Sequence, residues 1–350
     1  MSAEPLFFSV LIVNYNAGEY LARCLKALRE QSFEGFEAIV VDNDSRDDSL
    51  ARCSEHWSDP RIRLEKLASN TGFAAGNNHG ARLARGKWIV TLNPDAFPDA
   101  DWLATLARAA QKYPDVDMFG CTQINAADPS RLDGVGDAYL AVGIPWRSGY
   151  GHTKSGAAAQ DYETFGPCAA AAMYRAASFT IAGGFDESFF CYVEDADLAF
   201  RLRLAGSRCV QVHDAVVRHV GGASSDAAGV FARYHGIRNL IWVFVKNMPS
   251  TMFLLILPAH VLALLILIVK SVHRGNGGVT SEAIVDALRG LPAVWQRRRK
   301  IQASRRASTK EIARALCWNP KTYLLRNVHV IGPARKESAR TRQEPNRAKR

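Results

Sequence analysis

The 350-residue chain contains no Cys-x-x-Cys pair, and its seven cysteines (24, 53, 121, 168, 191, 209 and 317) are odd in number and irregularly spaced. That excludes a disulfide framework and a zinc-ribbon site, and it suits reduced thiols on a cytosolic face. A G-x-G-x-x-G turn after the first strand and a G-x-x-x-x-G-K-[ST] loop are both missing, so neither a dinucleotide fold nor a P-loop is supported. H-E-x-x-H and G-x-S-x-G are absent too, which removes the common zinc and serine-hydrolase readings. No internal repeat is visible. The first residues lack a basic stretch and carry Glu4, so the apolar run that breaks at Asn14 reads as a strand and not as a signal peptide. Basic excess is missing from the body of the chain: the first 269 residues hold 24 Lys and Arg against 29 Asp and Glu, whereas residues 270–350 hold 20 against 5. The net charge of +10 therefore comes from the tail, and a mildly acidic body does not grip nucleic acid with its whole surface.

What is present is globular. Apolar residues make up 48% and charged residues 22%, enough to build one large α/β domain with an appendage. Residues 7–13 (FFSVLIV) read as a buried strand, followed by Leu21, Cys24, Leu25 and Leu28 at helical spacing. Further strands are expected at 38–41, 62–64 and 88–92. A short helix is expected through Leu50, with further helices from about Phe73 and over 102–110. Strands alternating with helices predict a mostly parallel sheet with helices on both faces, loosening from Cys121 into a mixed second half. Ligands of such sheets sit beyond the carboxyl ends of the strands. Asn14, Tyr15, Asp42, Asn43, Asn93 and Asp95 all fall at those ends.

Residues 252–269 are apolar except for Pro258 and His260, and as a helix they would reach about 27 Å, near the minimum for a bilayer. A simple span conflicts with the basic residues that follow, because those favour the same cytoplasmic side as the body. The sequence therefore favours a re-entrant or in-plane helix broken near Pro258, with the basic tail against anionic lipid headgroups. The expected division is a catalytic domain over 1–245, a membrane-associated segment over 246–275, and a basic, amphipathic, partly disordered tail over 276–350.

The candidate chemistry lies in carboxylates. Asp42 at a strand tip could accept the imide N–H of a uracil or thymine base, or serve as a turn residue. Asp95, in L-N-P-D, is placed to hold Mg²⁺ or Mn²⁺ against the two phosphates of a nucleotide. The Gly/Asn-rich loop with Asn70, Gly72 and Asn77 opens a helix and could donate N–H groups to the nucleotide. In G-G-F-D-E-S-F-F-C-Y-V-E-D-A-D, four aromatics stand beside Glu194, Asp195 and Asp197, three acids within four residues. Asp197 and Arg201 can pair on a helix, which leaves Asp195, with Glu194 as the alternative, as a general base toward an acceptor hydroxyl. Gly184, Phe185, Asp186 and Glu194 are expected around the acceptor. His219 could complete the metal or diphosphate site, and Arg238 could hold the diphosphate.

In order along residues 7–245, the motifs V-N-Y-N-A-G, V-V-D-N-D-S, N-T-G-F-A-A-G-N-N, L-N-P-D, G-G-F-D-E-S-F-F, E-D-A-D-L, H-V-G-G and R-N resemble the rhamnosyltransferase-like branch of glycosyltransferase family two. The resemblance implies a GT-A fold, a dTDP- or UDP-linked sugar donor, a divalent metal, and inversion at the anomeric carbon. It implies that Asp42 binds the base, Asp95 the metal, and that Asp195 deprotonates the acceptor, with His219 near the metal. The usual D-x-D metal motif reads Asn93-Pro94-Asp95 here, as it does in that branch. The apolar segment points to a lipid-linked glycan acceptor at the cytoplasmic face of a bacterial inner membrane. The alternative is a scaffold that binds nucleotide-sugar without turning it over. No nucleic-acid partner is expected.

Overall fold

The computed structural model describes residues 6–154, 159–221 and 229–335; Gly222 of H-V-G-G and residues 336–350 of the tail lie outside them. The chain begins β1 (Phe8–Asn14), α1 (Tyr20–Arg29), β2 (Phe36–Asp42), β3 (Ile62–Lys66), α2 (Gly72–Leu83), β4 (Trp88–Leu92), β5 (Ala96–Pro98) and α3 (Trp102–Lys112). A strand-rich stretch follows with β6 (Met118–Asn125), β7 (Leu132–Val135), β8 (Asp137–Leu140), β9 (Ile144–Arg147), β10 (Tyr162–Thr164) and β11 (Ala171–Arg175). Then come α4 (Ala176–Ile181), α5 (Glu194–Leu204), β12 (Cys209–His219), α6 (Val230–Asn247), α7 (Ser250–His273), α8 (Gly277–Ala303), α9 (Thr309–Ala315), α10 (Pro320–Leu324) and β13 (Gly332–Pro333). The short helix expected through Leu50 is a 3₁₀ turn at Ala51–His56.

The central sheet runs β13-β10-β12-β6-β11-β4-β1-β2-β3, with β5 on β12 and β7 on β6. The strands β4, β1, β2 and β3 are parallel, joined by the helical crossovers that the sequence pattern requires. The expected mostly parallel sheet is corrected in the second half: β11 lies antiparallel between β4 and β6, and β10 is antiparallel to β12. Among the described residues no α-helix separates Lys112 from Ala176, so strands in that stretch cannot return in the same direction by helical crossovers. Alternate side chains of β1 feed two cores. Phe8, Val10 and Ile12 meet Leu21, Leu25 and Leu28 of α1 on one face, while Leu11 faces Ala74 of α2 and the α5–α6 layer on the other.

Residues 276–335, grouped with a basic tail in the sequence, pack onto the domain. Trp242 Nε1 of α6 donates to the Ala287 carbonyl of α8 at 3.0 Å, and a Cβ at Gly290 would stand 2.5 Å from the Trp242 ring. Arg298 donates to the carbonyls of Val245 (2.7 Å) and Met248 (2.6 Å) at the end of α6. β13 pairs with β10 at the sheet edge. The helix α7 is continuous over 24 residues, so the break expected near Pro258 is not present. Pro258 sits on the exposed side with Leu254, whose carbonyl it leaves without an N–H partner, so the helix passes through it. Met252, Phe253, Ile256 and His260 face the protein, and His260 stacks on Phe244 at 3.9 Å.

Several buried charges in this layer are paired. Lys246 Nζ lies 2.5 Å from Asp186 and 2.8 Å from Asp197, and Arg201 pairs with Asp197 at 2.8 Å. Burial opposes ionisation of Asp186, yet the charges of Lys246 and Arg297 hold its carboxyl well below the usual range. Lys246→Met should leave Asp186 with only Arg297 and Asp197 with only Arg201 as charged partners, and cost about 3 kcal/mol in chemical denaturation. Because the Asp186 shift is downward, its contribution is complete above about pH 4 and is lost as pH falls further, which acid titration of wild type against K246M will show.

Candidate active site

The parallel strands deliver their polar ends to one edge. Asn14 and Asp42 are register partners at the ends of β1 and β2, and Asn14 Nδ2 donates to Asp42 Oδ1 at 2.9 Å. The same amide reaches Ser45 and Ser49, leaving Asn14 Oδ1 buried without a partner. Asn43 Nδ2 donates to Asn70 Oδ1 at 2.9 Å, and Asn43 Oδ1 accepts from the Thr71 N–H at 2.8 Å, so the loop opening α2 is tied to the end of β2. Gly72 has φ +85°, and a Cβ there would meet the Phe190 carbonyl at 2.5 Å; only glycine lets the two loops touch. Tyr15 is 38% exposed above this surface. Asn77 lies one turn further, its amide on the Phe73 carbonyl, with Oδ1 unpartnered.

Asp95 stands between β4 and β5. Because β5 pairs with β12 so that Ala96 opposes His219, the imidazole is brought beside the carboxylate, with His219 Nε2 at 3.3 Å from Asp95 Oδ1. Asn93 Nδ2 is 3.4 Å from the same ring nitrogen. On its other side His219 Nδ1 donates to Asp133 Oδ2 of β7 at 2.7 Å, and Arg147 of β9 pairs with that carboxylate. Burial alone would raise both acids and lower the histidine. The hydrogen bonds and charges between them reverse each shift, holding Asp95 and Asp133 below, and His219 above, their ordinary values.

These donors suit a hard divalent cation. The 3.3 Å between Asp95 Oδ1 and His219 Nε2 matches neighbouring ligands of an octahedral ion, about 3 Å apart when each bond is about 2.1 Å. Asp133 orients the ring from behind, as outer partners of metal-bound histidines do. Another trio, Asp137, Cys168 and Asp195, has ligand atoms within 4.8 Å of one another. The neighbouring Arg147 cation and a Cys168 thiol pushed up to about 12 by burial make it a poor cation site.

Asp195 opens α5. Its Oδ2 accepts from the Ala169 N–H at 3.2 Å, and the next residue's carbonyl, Ala170, accepts from the Asn93 N–H at 2.9 Å. One short turn thus touches both the Asp95 loop and Asp195. Glu194 is buried beside it with Oε2 unpartnered, and burial, then the Asp195 charge, raises its carboxyl well above the ordinary value. The preceding backbone is strained: Phe190, Tyr192 and Val193 have φ of 64°, 68° and 68°. Asn239 Nδ2 holds that turn by donating to the carbonyls of Phe189, Cys191 and Tyr192.

Three residues expected around the acceptor serve the fold instead. Phe185 is 1% exposed among Phe73, Tyr174 and Phe179, and Asp186 is consumed by Lys246 and Arg297. Gly184, at φ +66°, leaves no room for a Cβ against Asn78 Oδ1. Arg238 lies on α6, donating to the Ser188 and Phe189 carbonyls. A cavity of about 340 Å³ lies away from the strand ends, between α2, α5, α6 and α8, lined by Asn78, Arg201, Lys246 and Arg297. Asp133, Asp137 and Arg147 escaped sequence reasoning. Their only signal is the pair of acids in L-D-G-V-G-D at 132–137, which has no spacing that names a partner.

Fold and site together define a GT-A-type α/β protein with a mixed central sheet. The chain resembles GalNAc-T7 solved with UDP, GalNAc and Mn²⁺, with a TM-score of 0.54 at 14% identity over 70% of this chain and 48% of that one. It also resembles S. aureus TarS in complex with UDP, with a TM-score of 0.50 at 17% identity over 73% and 71%. The Glycosyl transferase family 2 model matches residues 9–180. N-acetylglucosaminyl-diphospho-decaprenol L-rhamnosyltransferase of Mycobacterium tuberculosis is 27% identical over 252 residues, covering 65% of this chain and 80% of the relative. Residues 9–180 are thus a glycosyl transferase family 2 region, and the chain is similar to a rhamnosyltransferase of that kind. Asp95→Ala should abolish Mn²⁺-dependent enhancement of UDP or dTDP binding in calorimetry. Asp133→Asn, acting through His219, should weaken Mn²⁺ binding about 10–100-fold.

Proposed function

We propose that the protein is a metal-dependent, inverting glycosyltransferase. It moves a sugar, rhamnose-like by its relatives, from a dTDP- or UDP-linked donor to a hydroxyl of a lipid-linked or polysaccharide acceptor in cell-envelope glycan synthesis. The observation that carries this reading is the 168–171 turn, which contacts both the Asp95 loop and Asp195. A metal-side carboxylate and a general base are thereby held at one sheet edge, the geometry an in-line displacement requires. Asp42 is the candidate for the base of the nucleotide, beside the Asn43–Asn70 network and the loop from Gly72. Asp95 and His219 are the candidate ligands of Mg²⁺ or Mn²⁺, which when bound would supply positive charge to the two phosphates. Asp195 takes the acceptor proton, and no covalent sugar intermediate forms. Asp195→Asn should lower nucleotide release from a panel of UDP- and dTDP-sugars with Mn²⁺ by about 100-fold or more while leaving nucleotide binding intact. Unchanged turnover would remove Asp195 from the mechanism.

The acceptor class is supported by the decaprenol-linked substrate in the name of the M. tuberculosis relative and by α7. That helix is long and apolar enough to cross a membrane. His260, midway along it, is held against the Val142 carbonyl and the Phe244 ring, and α8 runs beside it. One side is thus covered by protein, and the outer side exposes Leu255, Leu262 and Ile266 ahead of Lys270 and Arg274. We infer that this exposed apolar face is the one that meets lipid. A Leu262→Glu, Ile266→Glu double variant should stop co-sedimenting with vesicles of anionic lipid while keeping the wild-type affinity for nucleotide.

A further inference from the structure

We propose that Arg147 and Asp137 are positioning residues for Asp195, joining it through one polar chain to His219 and Asp95; this rests on the reading of Asp195 as the base. Asp95 faces His219 at 3.3 Å, His219 donates to Asp133 at 2.7 Å, and Asp133 pairs with Arg147. Arg147 and Asp137 are register partners across the β8–β9 pair, and carboxylate oxygens of Asp137 and Asp195 lie within 4.8 Å of one another. Asp137 itself is 7% exposed, and its strand is fixed by an N–H bond to the Gly166 carbonyl (2.8 Å) and by Thr164 Oγ1 on its own carbonyl (3.0 Å).

Two carboxylates within 4.8 Å repel one another, and a proton held on one of them relieves the repulsion. The buried member keeps it: burial, then the Asp195 charge, raises the Asp137 carboxyl well above its ordinary value. In the proposed arrangement the protonated Asp137 donates its O–H to Asp195. With the Ala169 N–H on Oδ2, this orients the Asp195 carboxylate from two sides and leaves a lone pair for the acceptor proton. In the transfer step that proton moves from the acceptor oxygen to Asp195, and the Asp137 proton stays in place. The other groups facing Asp137 are Arg147 from β9, Glu194 from α5, Cys168 before β11, Tyr174 of β11 and Cys209 of β12. Only Arg147 among them is a cation, and it is also the one group that reaches Asp133 on the metal side.

The test uses the full chain and four variants, Asp137→Asn, Asp137→Leu, Arg147→Gln and Arg147→Lys. Nucleotide release from UDP- and dTDP-sugars with Mn²⁺ is followed across pH, beside calorimetric UDP and dTDP binding and thermal unfolding. Asp137→Asn keeps a donor toward Asp195 and should stay within about 10-fold of wild-type kcat, whereas Asp137→Leu should lose about 100-fold in kcat with donor KM and nucleotide affinity unchanged. Arg147→Gln should move the acidic limb of kcat up by about one pH unit, and Arg147→Lys should restore most of that shift. Wild-type kcat and pH profile in D137L and R147Q would overturn the proposal. So would losses that follow nucleotide binding or melting temperature, since those mark a structural role only. Absence of turnover by wild type with every donor, despite nucleotide binding, would instead overturn the transferase reading and this proposal with it.

Discussion

A charged side chain can stand at the buried end of a strand only if an opposite charge or a set of donors faces it there, and this requirement organises the molecule. Asp95 and Asp133 are both nearly inaccessible, and each is tolerable because His219 lies between them and Arg147 closes the far side. The compensation is built by strand pairing. β5 on β12 sets His219 beside Asp95, β7 on β6 brings up Asp133, and β9 on β8 supplies Arg147. Strands β5 and β7 at the side of the central sheet, together with the separate β8–β9 pair, thus neutralise the site.

The same logic operates behind the site. Asp197 is fully buried, and Lys246, Arg201 and Asn247 satisfy it from α6 and α5. α6 also holds the strained turn before Asp195 through Asn239 and Arg238, and only Met248 and Pro249 separate it from α7.

Local pattern carried much of the fold. The β-branched runs and the spacing of Leu21, Cys24, Leu25 and Leu28 placed β1, β2, β4, α1 and α3 within a few residues, because burial on one face leaves a period that can be read directly. The strand-end rule likewise placed Asn14, Asp42 and Asp95 at one edge. Other features could not be read this way. Phe185 and Asp186 stand in a motif rich in site-like residues, yet their roles are set by contacts with Tyr174, Phe179 and Lys246, up to sixty positions away along the chain. The docking of α8 turns on Gly290 admitting the Trp242 ring, a packing event with no local signature.

By itself, then, the sequence determined a βα start, the family, the acids worth testing, and an apolar helix, since each depends on residues near one another or on an ordered set of motifs. Tertiary structure alone decided the direction of β11, the continuity of α7 through Pro258, and the enrolment of Asp133, Asp137 and Arg147. Those outcomes depend on which strands become neighbours. Pairing partners are chosen by the burial of whole surfaces and not by any short stretch of chain, so a lone Asp or Arg gives no sign of what it will face.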